Sequence, residues 1–282
     1  MRRTLLAASL SALLCSSLAA QAADRVLSIG GSVTEIIYAL GAGDRLIARD
    51  TTSTYPEAAN GLPDVGYIRA LSPEGVLSVD PDLIISEAGA GPMETLEVLT
   101  RAEIPFVEVP DGFDGAGILA KVAAVGTALE LEEEAADLAE GLSTGLDAVA
   151  AKTASLPESE RKRVLFILST RGGRIMASGT HTAADGIIRM AGGINALSDF
   201  EGYKLMTDEA VSRAAPEVIL MMDRGGDHGA PDAELLALPA IVTTPAAKTK
   251  SVVRMNGLYL LGFGPRTADA AMDLARALYE GL

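Results

Sequence analysis

Short runs of aliphatic and β-branched residues alternate along the chain with stretches that have the apolar spacing of helices. The runs predicted to form strands are residues 26–29, 83–86, 106–109, 164–168, 218–222 and 251–255. Residues 34–41, 93–102 and 183–191 have apolar side chains three or four positions apart, which is typical of helices. This alternation predicts parallel sheets with crossover helices, an α/β fold.

The middle of the chain has a different pattern. From residue 132 to about 155 there is no proline, and Ala, Leu and Glu dominate. This predicts one helix of about 35 Å at 1.5 Å per residue, too long for an ordinary crossover. We therefore predict two Rossmann-like lobes with mostly parallel sheets, at residues 23–130 and 157–282, joined by one long helix at 131–156.

A pattern in the first half recurs in the second half, at residues 66–85 and 202–220. The shared positions are Gly66-Tyr67 with Gly202-Tyr203, Glu74 with Glu209, and Pro81 with Pro216. Each copy predicts an extended approach, a helix capped by Ser72 or Thr207, and a strand. The place of the match in both halves favours duplication over chance.

A glycine pair followed by Ser32-Val33-Thr34-Glu35 precedes the first predicted helix. A hydroxyl with a carboxylate three residues later predicts a capping box, in which Ser32 is the N-cap. No lysine follows at the spacing of a P-loop, so a phosphate-binding loop is disfavoured.

The first 22 residues predict a signal peptide and therefore export to the periplasm. Arg2 and Arg3 precede an uncharged apolar run that ends in Ala20-Gln21-Ala22, a small-x-small cleavage pattern. Cys15 follows a leucine where a lipoprotein signal needs a small residue, which disfavours a lipid anchor. Cleavage would remove this single cysteine, and we expect no membrane insertion of the mature chain.

Charge and composition narrow the function classes. The formal net charge is −15, and removal of residues 1–22 takes away two arginines and no acid, which gives −17. Such a chain is not expected to bind nucleic acid. The two histidines, His181 and His228, are interpreted as surface loop residues, and no hydrolase or zinc motif is present. An enzyme is therefore disfavoured, and a secreted hydrolase or metal-dependent enzyme is kept as an alternative.

Tyr67 and Arg69 are the residues that most suggest chemistry. They precede a helix cap, where an extended chain would point both side chains the same way. A phenol is a poor ligand until a guanidinium or a ferric ion stabilises the phenolate, and tyrosinate is a known axial ligand of haem iron. Spacing alone leaves open a packed tyrosine beside a solvated arginine.

The sequence resembles the haem-binding proteins of bacterial haemin ABC importers, within the helical-backbone class of periplasmic binding proteins (class III). The segments that carry the resemblance are residues 29–41 (IGGSVTEIIYALG), 64–78 (DVGYIRALSPEGVLS), 88–92 (AGAGP), 178–193 (SGTHTAADGIIRMAGG) and 202–210 (GYKLMTDEA). The resemblance implies that ferric haem b is the transported ligand and Tyr67 its axial iron ligand. It also implies that Arg69 supports the phenolate or a propionate.

Other roles follow from the same resemblance. Arg224 would bind a propionate, although a solvated arginine is equally compatible with the sequence. Tyr203 is the repeat partner of Tyr67 and has a structural interpretation as well as a ligand one. Met206, Leu205 and Ile68 are expected to supply apolar contacts to haem.

The resemblance also implies a partner. Glu74 and Glu209 would dock on the two halves of an inner-membrane ABC permease dimer that works with its ATPase, although both also suit a helix N-terminus. The protein itself is expected to be a monomer.

Two binding alternatives stay open within this interpretation. A cobalamin or ferric-siderophore carrier of the same fold would rely on cleft arginines or aromatics rather than a Tyr-Arg pair. A haem-sequestering protein without a transporter would share the ligand chemistry and differ only at the docking residues.

Overall fold

The computed structural model describes residues 23–223 and 231–282. The predicted signal peptide with Cys15, and the predictions for Arg224 and His228, lie outside the described residues. Within those two ranges, no helix combines the length and the apolarity that a membrane span requires.

The first half of the chain forms a four-stranded parallel sheet with the order β2-β1-β3-β4. Its elements are β1 (Val26–Ile29), α1 (Gly31–Ala39), β2 (Leu46–Arg49), α2 (Pro73–Leu77), β3 (Leu83–Ser86), α3 (Met93–Arg101), β4 (Phe106–Glu108) and α4 (Gly115–Leu129). Every residue of β1 is fully buried, because successive side chains enter two different apolar clusters on the two faces of the sheet. Burial on both faces explains the continuous apolar runs in the sequence.

The predicted long helix is present as α5 (Glu132–Ala154), with 23 residues. Its first turn packs against α4, where a Cβ on Gly126 would lie 2.3 Å from the Cβ of Ala135. Its last turns place Val149 in an apolar cluster with helices of the second half. The helix therefore contacts both halves along its length.

The second half forms a mixed sheet with the order β10-β9-β5-β6-β8, and β7 also pairs with β5. Its elements are β5 (Arg163–Ser169), β6 (Met176–Ser178), α6 (Ala183–Met190), β7 (Ile194–Asn195), β8 (Tyr203–Leu205), α7 (Asp208–Ala214), β9 (Val218–Asp223), α8 (Asp232–Leu236), α9 (Pro245–Thr249), β10 (Val252–Asn256), α10 (Gly257–Leu261) and α11 (Thr267–Leu278). β6 pairs antiparallel with both β5 and β8, and the other pairs are parallel.

The predicted fold class is confirmed: two α/β units with mostly parallel sheets, joined by one long helix. All six predicted strands and all three predicted helices are present, with ends within three residues of those predicted. We propose the boundaries 23–130 for an N lobe, 131–156 for the connecting helix and 157–282 for a C lobe.

The predicted capping box at Ser32 is wrong. The N-cap is Gly30, two residues earlier, with a positive φ of 106°, and the helix begins at Gly31. Ser32 therefore lies inside the first turn, and its N–H donates to the carboxylate of Glu87 at 2.8 Å. A side chain that follows β3 thus caps this helix, which frees Ser32 and Glu35 for other contacts.

The repeated pattern has the same local features in both halves. Ser72 and Thr207 are the N-caps of α2 and α7, as predicted, and each hydroxyl accepts a hydrogen bond from a backbone N–H three residues later. Gly66 and Gly202 both have positive φ, of 105° and 75°. Duplication of the lobes stays a prediction that these matches support.

Candidate functional site

A cleft with a volume of about 530 Å³ lies between the two lobes. Glu87, Pro110 and Leu168 reach it from the carboxyl ends of β3, β4 and β5, the place where open α/β sheets bind ligands. Pockets that hold cofactor-sized ligands have volumes of about 300–1,000 Å³. The cleft is therefore large enough for a macrocyclic ligand.

Tyr67 and Arg69 both line this cleft, but not by the predicted geometry. The expectation of an extended chain is wrong, because residues 67–70 form a turn in which the N–H of Ala70 donates to the C=O of Tyr67 at 2.7 Å. Ile68, between them, is 8 % exposed and belongs to the N-lobe core. The turn anchors Ile68 and leaves Tyr67 about half exposed at the cleft.

Backbone hydrogen bonds connect this turn to the loop before α3. Gly91 donates its N–H to the C=O of Ile68 and accepts from the N–H of Leu71, both at 2.9 Å. The hydroxyl of Thr95 donates to the C=O of Leu71 at 3.0 Å. The backbone that carries Tyr67 is thus hydrogen-bonded to the rest of the N lobe.

Tyr203 faces the cleft from the C lobe, on β8. Its ring lies edge-on to the buried Phe166, with ring centroids 6.4 Å apart. Burial raises the pKa of the Tyr203 phenol, and hydrogen bonding by Thr182, the charge of Arg69 and hydrogen bonding by Ser178 oppose that rise in part. Tyr203 therefore presents a neutral phenol, and Arg69 acts electrostatically on a residue of the opposite lobe.

His181 also lines the cleft, at the start of the turn before α6. Its side chain is 77 % exposed, and Nδ1 lies 3.5 Å from Oε1 of Glu201. The interpretation as an exposed loop residue agrees with this exposure, but it missed that the loop borders the cleft. The position just before a helix cap was the available signal.

Lys121 is a cleft residue that the sequence analysis missed. It is 3 % exposed, and its ammonium donates to Oγ of Ser32 at 3.0 Å and to the C=O of Gly262 at 3.4 Å. Oγ of Ser32 in turn donates to Glu87 at 2.5 Å. These bonds place a cation at the floor of the cleft and connect α4 of the N lobe with the C lobe. Its position in an apolar helix gave no signal of this role.

An ion pair joins the lobes near this floor. The guanidinium of Arg266 donates to both carboxylate oxygens of Glu35, at 2.8 and 2.9 Å, and lies 3.5 Å from the centroid of the Tyr55 ring. The side chain of Glu35 is 6 % exposed and that of Arg266 is 26 % exposed. This pair fixes the middle of α1 against the segment between α10 and α11.

The remaining predicted contact residues lie elsewhere. Met206 is half-buried against the C-lobe core, and its N–H donates to the C=O of Ile175 at 2.8 Å. Leu205 is half exposed on β8. Neither belongs to the cleft lining among the described residues, so their contacts with a ligand stay a prediction, as does that of Arg224.

Glu74 and Glu209 are exposed in the first turns of α2 and α7. Each is the second residue of a short helix whose N-cap hydroxyl accepts a hydrogen bond from a backbone N–H. Their exposure is compatible with both docking and stabilisation of a helix N-terminus.

Comparison with known proteins gives a consistent family. The sequence profile of a family described as "Periplasmic binding protein" matches residues 26–257. The structure of the periplasmic heme-binding protein BhuT in complex with two hemes is 39 % identical, with a TM-score of 0.85 over 90 % of this chain and 97 % of that one. The apo periplasmic heme-binding protein RhuT from Roseiflexus sp. RS-1 is 35 % identical, with a TM-score of 0.86 over 91 % and 98 %.

A second ligand class also occurs among the relatives. The vitamin B12-binding protein of Yersinia pestis (strain Pestoides F) is 29 % identical over 266 residues, which cover 93 % of this chain and 89 % of that protein.

Proposed function

The chain belongs to the periplasmic binding protein family, and we propose that it binds ferric haem in the cleft between its lobes and delivers it to an ABC importer. The observation that carries the proposal is the pair of Tyr67 and Arg69 at the edge of a cleft of about 530 Å³. A half-exposed phenol can approach iron directly, and the charges of ferric iron and of a guanidinium both favour the phenolate. The two heme-binding relatives at 39 % and 35 % identity support the same ligand.

The lining of the cleft fits a flat macrocycle with two acidic groups. The rings of Tyr67, Phe113 and Tyr203 supply apolar surface. Arg69 and Lys121 supply positive charge, beside the carboxylates of Glu87 and Asp111. In this proposal Tyr67 ligates the iron, Arg69 supports the phenolate or a propionate, and Arg224 binds a propionate. Tyr203 contacts the ligand as a neutral phenol, and Met206 adds apolar surface at the C-lobe edge.

Transport adds a partner and a location. We propose that residues 1–22 direct export to the periplasm, that the mature protein is a monomer, and that it binds rather than transforms its ligand. Glu74 and Glu209 are exposed at corresponding positions of the two lobes, as docking on a two-fold permease dimer requires. A haem-sequestering protein would keep the ligand site and not need these two residues.

The test is a visible absorption titration of the mature protein with haemin, beside Tyr67→Ala. We expect wild type to saturate with a high-spin ferric spectrum, and Tyr67→Ala to bind more weakly or to change its spectrum, because a metal–ligand bond is removed. His181→Ala removes the histidine that borders the cleft from the opposite lobe, and it should keep the wild-type spectrum if Tyr67 is the iron ligand.

Cobalamin binding is the second candidate, favoured by the relative from Yersinia pestis. Calorimetric titration with cobalamin separates the two. Tight cobalamin binding without saturation by haemin would replace the proposed ligand, whereas identical haemin spectra of wild type and Tyr67→Ala would keep haem and remove Tyr67 as its ligand.

A further inference from the structure

The loop that precedes Tyr67 is hydrogen-bonded along its backbone to the end of β2. The N–H of Arg49 donates to the C=O of Pro63 at 2.9 Å, and the C=O of Arg49 accepts from the N–H of Val65 at 3.0 Å. One step further, the N–H of Thr51 donates to the C=O of Gly66 at 3.0 Å. The last of these bonds lies directly before Tyr67.

The carboxylate of Asp64 accepts hydrogen bonds from residues of both segments. Its Oδ2 accepts from Nη1 of Arg49 at 2.8 Å, and its Oδ1 accepts from the N–H of Gly66 at 2.8 Å and from the hydroxyl of Thr51 at 3.1 Å. Gly66 has a φ of 105°, a conformation that residues with a side chain rarely adopt. Asp64 therefore holds the bend that sets the direction in which the chain enters Tyr67.

Arg49 depends on Asp64 in return. The Arg49 side chain is 12 % exposed, and within the described residues Asp64 is the carboxylate with which it forms a salt bridge. A second bond runs from Nη1 to the C=O of Asp50 at 3.0 Å, and Nε is buried without a hydrogen-bond partner in the described part of the chain. Loss of Asp64 would leave a largely buried guanidinium without its counter-charge, which favours rearrangement of the loop.

We propose that Asp64 is a positioning residue for Tyr67. Asp64 does not touch the ligand; it fixes the loop so that the Tyr67 phenol is already directed into the cleft before the ligand arrives. A metal–phenolate bond tolerates little error in direction, and a fixed loop avoids the entropy that ordering on binding would cost. The proposal rests on the proposed function, because it gives Tyr67 the role of iron ligand.

Three variants test it in the full mature protein with haemin as the probe. Asp64→Ala removes every contact, and we expect affinity to fall by about tenfold or more, as for other residues that orient a metal ligand, with a mixture of spectral species. Asp64→Asn keeps an oxygen for Gly66 and Thr51 but not the charge, and should be intermediate. Asp82→Ala is the matched control, because this exposed carboxylate accepts the N–H groups of Asp24 and Arg25 at the amino end of β1 and should leave the spectrum unchanged.

Acidification gives a readout that a purely structural role would not change. Protons compete with iron for the phenolate, so a weakened iron–phenolate bond is lost at a higher pH. We expect the transition of Asp64→Asn to lie at higher pH than that of wild type and of Asp82→Ala, in protein shown to be folded by circular dichroism. This comparison decides the question even where Asp64→Ala does not fold.

The outcomes separate the two proposals. Wild-type affinity, spectrum and acid transition in the Asp64 variants, with an altered spectrum in Tyr67→Ala, would overturn the role of Asp64 and keep the proposed function. A wild-type protein that does not bind haemin would instead overturn the proposed function on which this role rests.

Discussion

The two lobes carry the same short sequence, glycine followed by tyrosine, at the cleft, and they use it differently. In the N lobe, Gly66 leads into a turn that leaves Tyr67 about half exposed. In the C lobe, Gly202 leads into strand β8, which pairs with β6 and places Tyr203 opposite Ser178. Both tyrosines reach the cleft, but Tyr67 is 48 % exposed, whereas Tyr203 is 38 % exposed and packs its ring on Phe166 of its own lobe.

The two backbone conformations give Tyr67 and Tyr203 different neighbours, and these neighbours explain why the two phenols differ. Tyr203 packs on Phe166 and lies within reach of Thr182 and Ser178, and burial raises its pKa above the ordinary value. Tyr67 is carried by a loop whose bonds are made by its backbone and by Asp64, so that its ring is not needed for packing. A repeated motif therefore identifies related positions but not related chemistry, because partners distant in sequence decide the chemistry.

The largest effect is expected where the lobes are most alike, at Glu74 and Glu209. Reversal of both charges, Glu74→Lys with Glu209→Lys, should abolish haem-dependent transport in a reconstituted importer, because two acidic contacts become repulsive against a basic permease surface. Haemin affinity in solution should stay at the wild-type value, since both residues are exposed outside the cleft lining. Unchanged transport would remove the docking role and favour their interpretation as helix N-terminal charges.

A second prediction concerns the ion pair that joins the lobes. Arg266→Ala leaves the Glu35 carboxylate, which is 6 % exposed, without its partner. Removal of one partner from a completely buried ion pair costs about 3–5 kcal/mol. Because the Arg266 side chain is 26 % exposed, we expect the free energy of unfolding, measured with urea, to fall by about 2 kcal/mol. Arg276→Ala breaks an exposed pair with Asp273 on α11 and should cost less than about 1 kcal/mol. Equal losses of stability in the two variants would show that the inter-lobe pair stabilises the fold no more than an exposed pair does.

The sequence predicted the regular elements well for a physical reason. The strands at residues 26–29 and 164–168 are buried on both faces, so their apolar runs are continuous and easy to recognise. β8 (Tyr203–Leu205) was predicted only as an extended approach to the Thr207 cap and not as a strand of the sheet, because it is exposed and antiparallel and its sequence lacks such a run. Ser32 and Glu35 illustrate the other limit: a local motif predicted a capping box, and a carboxylate 55 residues away in sequence occupies that position instead.

The site was predictable where chemistry and position coincide. The resemblance and the residue types identified Tyr67 and Arg69, which the structure brings to the cleft by a turn rather than by an extended chain. Lys121 could not be predicted, because a lysine in an apolar helix has the sequence pattern of a solvated residue, and its partners lie 89 and 141 positions away. His181 was assigned to a loop correctly, but the neighbouring lobe determines that this loop borders the cleft.

The smallest effect is expected from Tyr203→Phe, and it tests the asymmetry most directly. The variant keeps the ring against Phe166 and removes only the hydroxyl, so haemin affinity should fall by about fivefold or less, the value of one neutral hydrogen bond. The iron spectrum should stay that of wild type. A loss as large as that of Tyr67→Ala would show that both lobes ligate the iron and would end the distinction drawn between them.

The stability of the ligand-free protein at alkaline pH also depends on the Tyr203 hydroxyl. Because burial raises the pKa of Tyr203 in the folded state, its neutral form is fully compatible with folding below about pH 10, the ordinary value for tyrosine. As the pH rises further, the unfolded chain loses the phenolic proton first, so stability falls until the folded-state pKa is passed. Tyr259 and Tyr279, whose pKa values are also raised by burial, contribute in the same direction and remain in the variant. Urea unfolding of wild type and Tyr203→Phe at neutral pH and above pH 10 should therefore show a smaller alkaline loss in the variant, and identical losses would mean that Tyr203 ionises as freely as a solvated phenol.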